Sequence, residues 1–288
     1  MNILMLGNNG FVGSVVQEKI KQNNNVYVVN ENFDVTEKNE TFNMLNRYVK
    51  EKNITCIINC IAMANLDDCE KEKELCKKIN LEFVKCLCDF SVNKKIYLIH
   101  ISSNAVYDGN NAPYSETDIK NPVNYYGKCK AEADDYINNK ASNFAIVRPI
   151  TIYGSKNKND RHNPVTYFVE KLINNESIKL VDDNIVNMVH VKDFADAVSF
   201  IIDNKLTGEF NISGDVSESR YDLGVRICNV LDIDLSLIEK VSGKDFIMLA
   251  ERPNNTSFNN SKMKIELKIK PRSLDRTIMD VGCEYRNK

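Results

Sequence analysis

Ile3-Leu4-Met5-Leu6-Gly7-Asn8-Asn9-Gly10-Phe11-Val12-Gly13 opens the chain with an apolar run that breaks into three spaced glycines. The run reads as a strand, and Val12, Val15, Val16 and Ile20 beyond it form the apolar face of a helix. A strand that turns through glycines into a helix gathers free backbone N–H groups and the helix dipole at one point, where a pyrophosphate is well held. Gly7 is expected to make the tight turn, Gly10 to allow close approach and Gly13 to pack helix on strand. Glycine turns are common in loops. The strand before this one and the amphipathic helix after it supply the context that a dinucleotide site requires.

The same alternation continues outward from this unit. Strand-like runs fall at 2–6, 25–29, 56–60, 96–101 and 143–148, with amphipathic helical stretches near 12–22, 37–51, 73–92 and 123–140. The implied class is α/β, a doubly wound parallel Rossmann sheet with helices on both faces. The second half reads as a strand at 178–181, a helix at 191–203, a strand at 209–212, a helix near 220–231 and a mixed tail. Residues 155–160 are polar and rich in breakers, as a mobile flap would be.

Ligands in such sheets bind beyond the carboxyl ends of the strands. There lie the glycine loop, Asn59-Cys60-Ile61-Ala62, Ser102-Ser103 and Arg148-Pro149-Ile150. Tyr126 and Lys130 stand four apart and share a helix face. A free phenol has a pKa of about 10, too high for efficient proton transfer near neutrality. An adjacent ammonium lowers that value by favouring phenolate. Ser103 is placed to hydrogen-bond a reacting carbonyl beside the phenol. The order and spacing of these elements point to a nicotinamide-cofactor site with its own proton donor.

Size and charge narrow the function further. A chain of 288 residues suffices for one large or two intimately packed domains. A net charge of −2 without a basic stripe speaks against nucleic acid as partner. No apolar run approaches the length of a membrane span, and the chain starts at once on a strand, so a cytoplasmic protein without a signal peptide is expected. The nine cysteines are scattered without a paired C-x-x-C, and the three histidines lie far from them in sequence. Reduced thiols packing as small apolar residues are expected, and no zinc site.

At this point the chain resembles an extended short-chain dehydrogenase/reductase, and is most similar to the dTDP-4-dehydrorhamnose reductase family. The likeness runs through Gly7 to Gly13, Asp34-Val35-Thr36, Ile58-Asn59, Asn80, Ile101 to Gly109 and Pro113-Tyr114-Ser115-Glu116. It continues in Tyr126 to Glu132, Phe210 to Gly214 and Glu251-Arg252-Pro253-Asn254. The resemblance implies a cofactor domain over 1–154 to which 184–212 returns. A smaller interleaved C-terminal α/β substrate domain would be built from 155–183 and 213–288. A homodimer is compatible with it.

Carried over by position, Tyr126 would give a proton to the C4 ketone of a 4-keto-6-deoxy sugar nucleotide. Lys130 would hold the nicotinamide ribose and depress the tyrosine pKa, and Ser103 would polarise the ketone. NAD(H) or NADP(H) would contact Gly7, Asn9, Gly10, Phe11, Val12 and Gly13, then Asp34, Val35, Cys60, Ile61, Ala62, Asn80, Ile101 and Pro149. At the end of the second strand Asn30 and Glu31 would meet the adenine ribose; Glu31 favours NAD(H), and no arginine stands there for a 2′-phosphate. Substrate contacts would come from Ser103, Asn104, Asn163, Asn187 and Arg252, whose guanidinium can grip a diphosphate. His190 and Asp193 are expected to be structural or to cap a helix.

Departures from the family pattern matter too. Asn104-Ala105 stand where 4,6-dehydratases carry an Asp-Glu pair. Val15 stands where some members place a metal-binding glutamate, so no metal is expected. Thr151 stands where many have tryptophan, a residue this chain lacks. Two alternatives to a reductase remain open. One is an NAD-dependent sugar-nucleotide epimerase, and the other a non-catalytic, nucleotide-binding regulatory subunit of the methionine adenosyltransferase type.

Overall fold

The strand Asn2–Leu6 is buried on both faces, Ile3 and Met5 in one core and Leu4 and Leu6 in another. Only a strand covered on both sides tolerates four consecutive apolar residues, and a parallel sheet provides that cover. The computed structural model describes residues 1–29, 33–155, 162–246 and 248–287. Its first half runs β1 (Asn2–Leu6), α1 (Phe11–Ile20), β2 (Asn25–Val28), α2 (Lys38–Lys52), β3 (Cys56–Asn59), α3 (Leu66–Lys71), α4 (Lys73–Lys77), α5 (Phe83–Lys94), β4 (Tyr97–Ile101), α6 (Tyr125–Lys140) and β5 (Phe144–Pro149). Short strands then intervene. The second half runs β6 (Ile152–Tyr153), α7 (Pro164–Ile173), β7 (Ile178–Val181), β8 (Ile185–Val186), β9 (Val189–His190), α8 (Val191–Asp203), β10 (Gly208–Ile212), β11 (Glu218–Ser219), α9 (Arg220–Leu231), β12 (Ile238–Val241), α10 (Ser261–Glu266) and α11 (Leu274–Arg286).

Six strands form one parallel sheet in the order β10-β5-β4-β3-β1-β2. The order reverses at β1, which pairs with β2 on one side and β3 on the other, and this reversal opens a crevice at the strands' carboxyl ends. One face packs on α1 and α8, and its core continues into the C-terminal region through Phe168, Leu223 and Ile278. The other face packs beneath α2, α5 and α6, with Met44, Leu87 and Ile137 in its core. The late segment α8–β10 thus returns to the first half: α8 lies on α1 and β10 completes the sheet beside β5.

Local chemistry explains where expectation and structure part. The stretch expected as one helix over 73–92 is α4, a π-helical turn over Lys78–Glu82, and α5. The wider turn carries Asn80, fully buried, whose amide accepts from Met63 N–H at 3.1 Å and donates to Met63 C=O at 2.9 Å. The helix over Pro164–Ile173, absent from the sequence expectations, starts on Pro164 in its first turn and a capping box between Asn163 and Thr166. Most of the polar segment 155–160 lies outside the described residues.

Candidate active site

Two of the three glycines in the first loop are imposed by the protein's own packing. Gly7 has φ +81°, and a Cβ there would lie 2.9 Å from the Cys60 carbonyl carbon and the Ile61 nitrogen. A Cβ on Gly13 would lie 2.1 Å from the Gly7 carbonyl oxygen. Gly10 differs, because a Cβ on it would meet no protein atom within 4 Å. The backbone is bare there at the N-terminus of α1, which has no side-chain cap and no acidic residue in its first turn. Open N–H groups and a positive dipole end fit a pyrophosphate.

Across the crevice, Asn124 caps α6 by accepting from Gly127 N–H at 2.9 Å, which fixes Tyr126 and Lys130 in its first two turns. Both side chains are buried. Ser103, just beyond β4, accepts from Ala105 N–H at 3.2 Å and is also a hydrogen-bond partner of the Tyr126 phenol. The three residues expected to carry the chemistry therefore meet at the carboxyl edge of the sheet. One electrostatic detail departs from expectation. Burial pushes the Tyr126 phenol above its ordinary value, and the leading influence that lowers it is Ser103, with Lys130 not among the leading ones. Lys130 instead donates to the Ile101 carbonyl at 2.7 Å and stands 3.3 Å from His100 Nε2. Burial pulls this lysine down to about 8, against the opposing pull of Asp134.

Beneath the trio runs a polar layer that no local pattern announced. Asn59, His100, Arg148 and Asn211 project from β3, β4, β5 and β10, all fully buried. Asp134 on α6 accepts from Ser102 Oγ at 2.9 Å and from Arg148 Nε at 2.8 Å, and burial pushes its carboxyl up despite the guanidinium. Arg148 reaches Glu209 at 2.6 Å. A cluster of thiols lies alongside: Cys76 Sγ is 4.0 Å from Cys129 Sγ and accepts from Asn80 Nδ2 at 3.3 Å. The Cys129 thiol, foremost, draws the Cys76 thiol down to about 6. Every cysteine is a free thiol and only Cys283 is exposed.

Other expected contact residues are distributed as follows. Cys60, Ile61, Ala62, Ile101 and Pro149 lie at or just past the ends of β3, β4 and β5, and Asn80 braces the loop after β3. Phe11 and Val12 form the half-buried start of α1, after the exposed Asn9 and Gly10. Asp34 and Val35 follow β2; the Asp34 carboxylate accepts from Thr36 N–H at 2.8 Å, which lowers its pKa, with Lys78 adding to the effect. That lysine was not anticipated from sequence. Asn30 and Glu31 lie outside the described residues.

The substrate side divides. Asn104 Nδ2, next to Ser103, donates to Thr256 Oγ1 at 2.7 Å. Arg252 pairs with Asp67 at 3.2 Å through Nη2, while its buried Nη1 has no partner among the described residues. Asn163 and Asn187 are engaged by the fold itself. Asn163 caps α7 and donates to Gly154 C=O at 2.8 Å, while Asn187 bridges Ser213, Gly214 and Phe258. Their amides are engaged by main chain and by Ser213 Oγ, bonds that a substrate contact would have to displace. His190 caps α8 through Lys192 N–H at 3.1 Å, and Asp193 accepts from Arg272.

A parallel sheet with its crevice at β1, open to a glycine-turned helix on one side and a Ser–Tyr–Lys set on the other, is the arrangement of Rossmann-type NAD(P)-binding reductases and epimerases. The family model for the RmlD substrate binding domain matches residues 1–286, and the chain belongs to that family. Among curated relatives, methionine adenosyltransferase 2 subunit beta of Pongo abelii is 25% identical, over 91% of this chain and 81% of its own. A dTDP-4-dehydrorhamnose reductase of Clostridium acetobutylicum superposes with a TM-score of 0.86 at 27% identity, covering 99% of this chain and 100% of its own. The Bacillus anthracis enzyme of the same name, solved in complex with NADP, gives 0.86 at 23% identity, covering 98% and 99%.

Proposed function

We propose that the protein is an NAD(P)H-dependent reductase of a 4-keto-6-deoxy sugar nucleotide. The observation that carries this reading is the convergence of Ser103, Tyr126 and Lys130 on the crevice that the open N-terminus of α1 also faces. The loop Gly7–Gly13 and the residues ending β3, β4 and β5 would hold the cofactor, which when bound supplies the hydride. Ser103 would align the substrate ketone by hydrogen bond, and Tyr126, raised by burial and so protonated at neutral pH, would give its proton to the developing alkoxide. Asn104 and the free Nη1 of Arg252 would meet the sugar nucleotide, with residues 155–183 and 213–288 forming most of its site.

The relatives support a sugar nucleotide as substrate, and NADPH as well as NADH as reductant. The nine free thiols support a reducing, cytoplasmic setting. Among the described residues no helix is long and apolar enough to cross a membrane. A homodimer remains part of the proposal, to be checked by light scattering. The test of function is oxidation of NADH or NADPH, followed at 340 nm, with dTDP-, UDP-, GDP- and CDP-linked 4-keto-6-deoxy sugars. Turnover with one nucleotide class supports the reading, and none across the panel overturns it.

The likeness to methionine adenosyltransferase 2 subunit beta favours a second reading, a nucleotide-binding regulatory subunit. An intact Ser103, Tyr126 and Lys130 weigh for the enzyme. An epimerase would use the same trio, and would purify with bound NAD and turn over without net redox change.

A further inference from the structure

The buried pair Asn59 and His100 has no place in the chemistry described so far, yet it contacts the lysine on which that chemistry depends. Asn59 Oδ1 accepts from Ile61 N–H at 3.0 Å, and this bond fixes which way the amide faces. Its Nδ2 then points at His100 Nδ1, 3.3 Å away. An amide nitrogen only donates, so His100 Nδ1 must accept. Turning the amide over would only move the conflict, setting Nδ2 against the Ile61 N–H. A neutral imidazole that accepts at Nδ1 carries its proton on Nε2. Neutrality follows from burial first, then from Lys130 whenever it is protonated, and from Arg148 throughout; together they hold His100 well below its ordinary pKa.

The Nε2–H therefore faces Lys130 Nζ at 3.3 Å. An ammonium has three donors and no lone pair, so two donors would confront each other. A neutral amine satisfies every group: it accepts from His100 Nε2–H and donates to the Ile101 carbonyl at 2.7 Å. Resting on the reductase reading for its purpose, we propose that His100, oriented by Asn59, is a positioning residue that sets the proton affinity of Lys130. The other groups facing Lys130 are Asp134 and Cys129 on its own helix, Cys60 after β3 and Cys76 on α4, and these pull the other way. The balance leaves Lys130 able to gain and lose a proton close to neutrality. A group that restores the proton of a spent Tyr126 needs that property, and a lysine locked as ammonium lacks it.

Two nuclear magnetic resonance measurements on the whole protein test this without relying on turnover. The chain has three histidines, so the 15N imidazole signals of His100 are assignable by their loss in His100→Gln. The expected tautomer has a bare Nδ1 and a protonated Nε2 from pH 6 to 9, and the reverse tautomer overturns the proposal. In protein labelled at lysine Cε, the signal absent from Lys130→Met should titrate near pH 8. In His100→Gln, which offers Lys130 a carbonyl acceptor, that midpoint should rise by a unit or more. An unchanged midpoint in folded His100→Gln, or a wild-type lysine still charged at pH 10, overturns it. Should the variant not fold, the wild-type tautomer and titration decide alone. Failure of the reductase reading would show instead as correct titrations with no NAD(P)H oxidation.

Discussion

In the proposed reading, the hydroxyl of Tyr126 is what separates an enzyme from a nucleotide-binding module. Removing it by Tyr126→Phe changes little packing, because the ring sits buried in the core below α6. General acid catalysis typically contributes about 10²- to 10⁴-fold. The variant should lose kcat by about that factor while NADPH still raises its melting temperature. The glycines allow a similar dissection. Gly13→Ala forces a methyl to 2.1 Å from the Gly7 carbonyl oxygen, so the turn must move; melting temperature and cofactor protection should fall together. Gly10→Ala meets no protein atom. It should melt as wild type alone, yet gain less from added cofactor, as calorimetry would show. Equal behaviour of the two variants would refute the separate roles given to these glycines.

At the scale of elements, the π-helical turn at Lys78–Glu82 shows why some of this molecule could be read from sequence and some could not. Gly7 to Gly13 and Tyr126 to Lys130 work through neighbours in the chain, so spacing betrays them. Asn80 was placed near the cofactor by resemblance, but its grip on Met63 across 17 residues depends on the wider turn, which hydrophobic periodicity does not encode. The polar layer is hidden for the same reason. Asn59 meets His100 because β3 and β4 place them as register partners, and Arg148 meets Asn211 through the pairing of β5 with β10. Asn80→Ala would leave the Met63 N–H without its partner and the Met63 carbonyl with the Cys69 thiol alone, at about 1–3 kcal/mol for an unmade bond. Urea denaturation should show a loss of that order, and a loss under about 0.5 kcal/mol would mean that the loop satisfies itself another way.

For the molecule as a whole, buried ionisable groups shape the response to pH. Burial, aided by Arg272 and Lys192, lowers His190 to about 4 from its ordinary 6.5. The unfolded chain therefore takes up this proton first as pH falls. The stability that neutral His190 contributes is complete above pH 6.5 and is lost as pH drops through 4. At about 1.4 kcal/mol per pH unit, the effect is at most about 3 kcal/mol. His190→Asn can keep the cap on α8 while removing the titration, so its urea midpoint should fall less than that of wild type between pH 7 and 4. Parallel curves for the two proteins would assign the acid sensitivity elsewhere.

The stretch Ala250–Arg252 has a bearing on how such a protein could be taken apart and recombined. Its Ala250 N–H and Arg252 both hold Asp67 of α3, and the Glu251 carbonyl accepts from Asn124, the residue that caps α6. Selectivity for a new sugar invites grafting the C-terminal segment of a relative onto the glycine-loop half. A graft that omits these three residues would bring new selectivity and loosen the very helix that carries Tyr126. Successful chimeras should therefore place their junctions after Arg252, or transplant Asp67 and Asn124 along with the incoming loop.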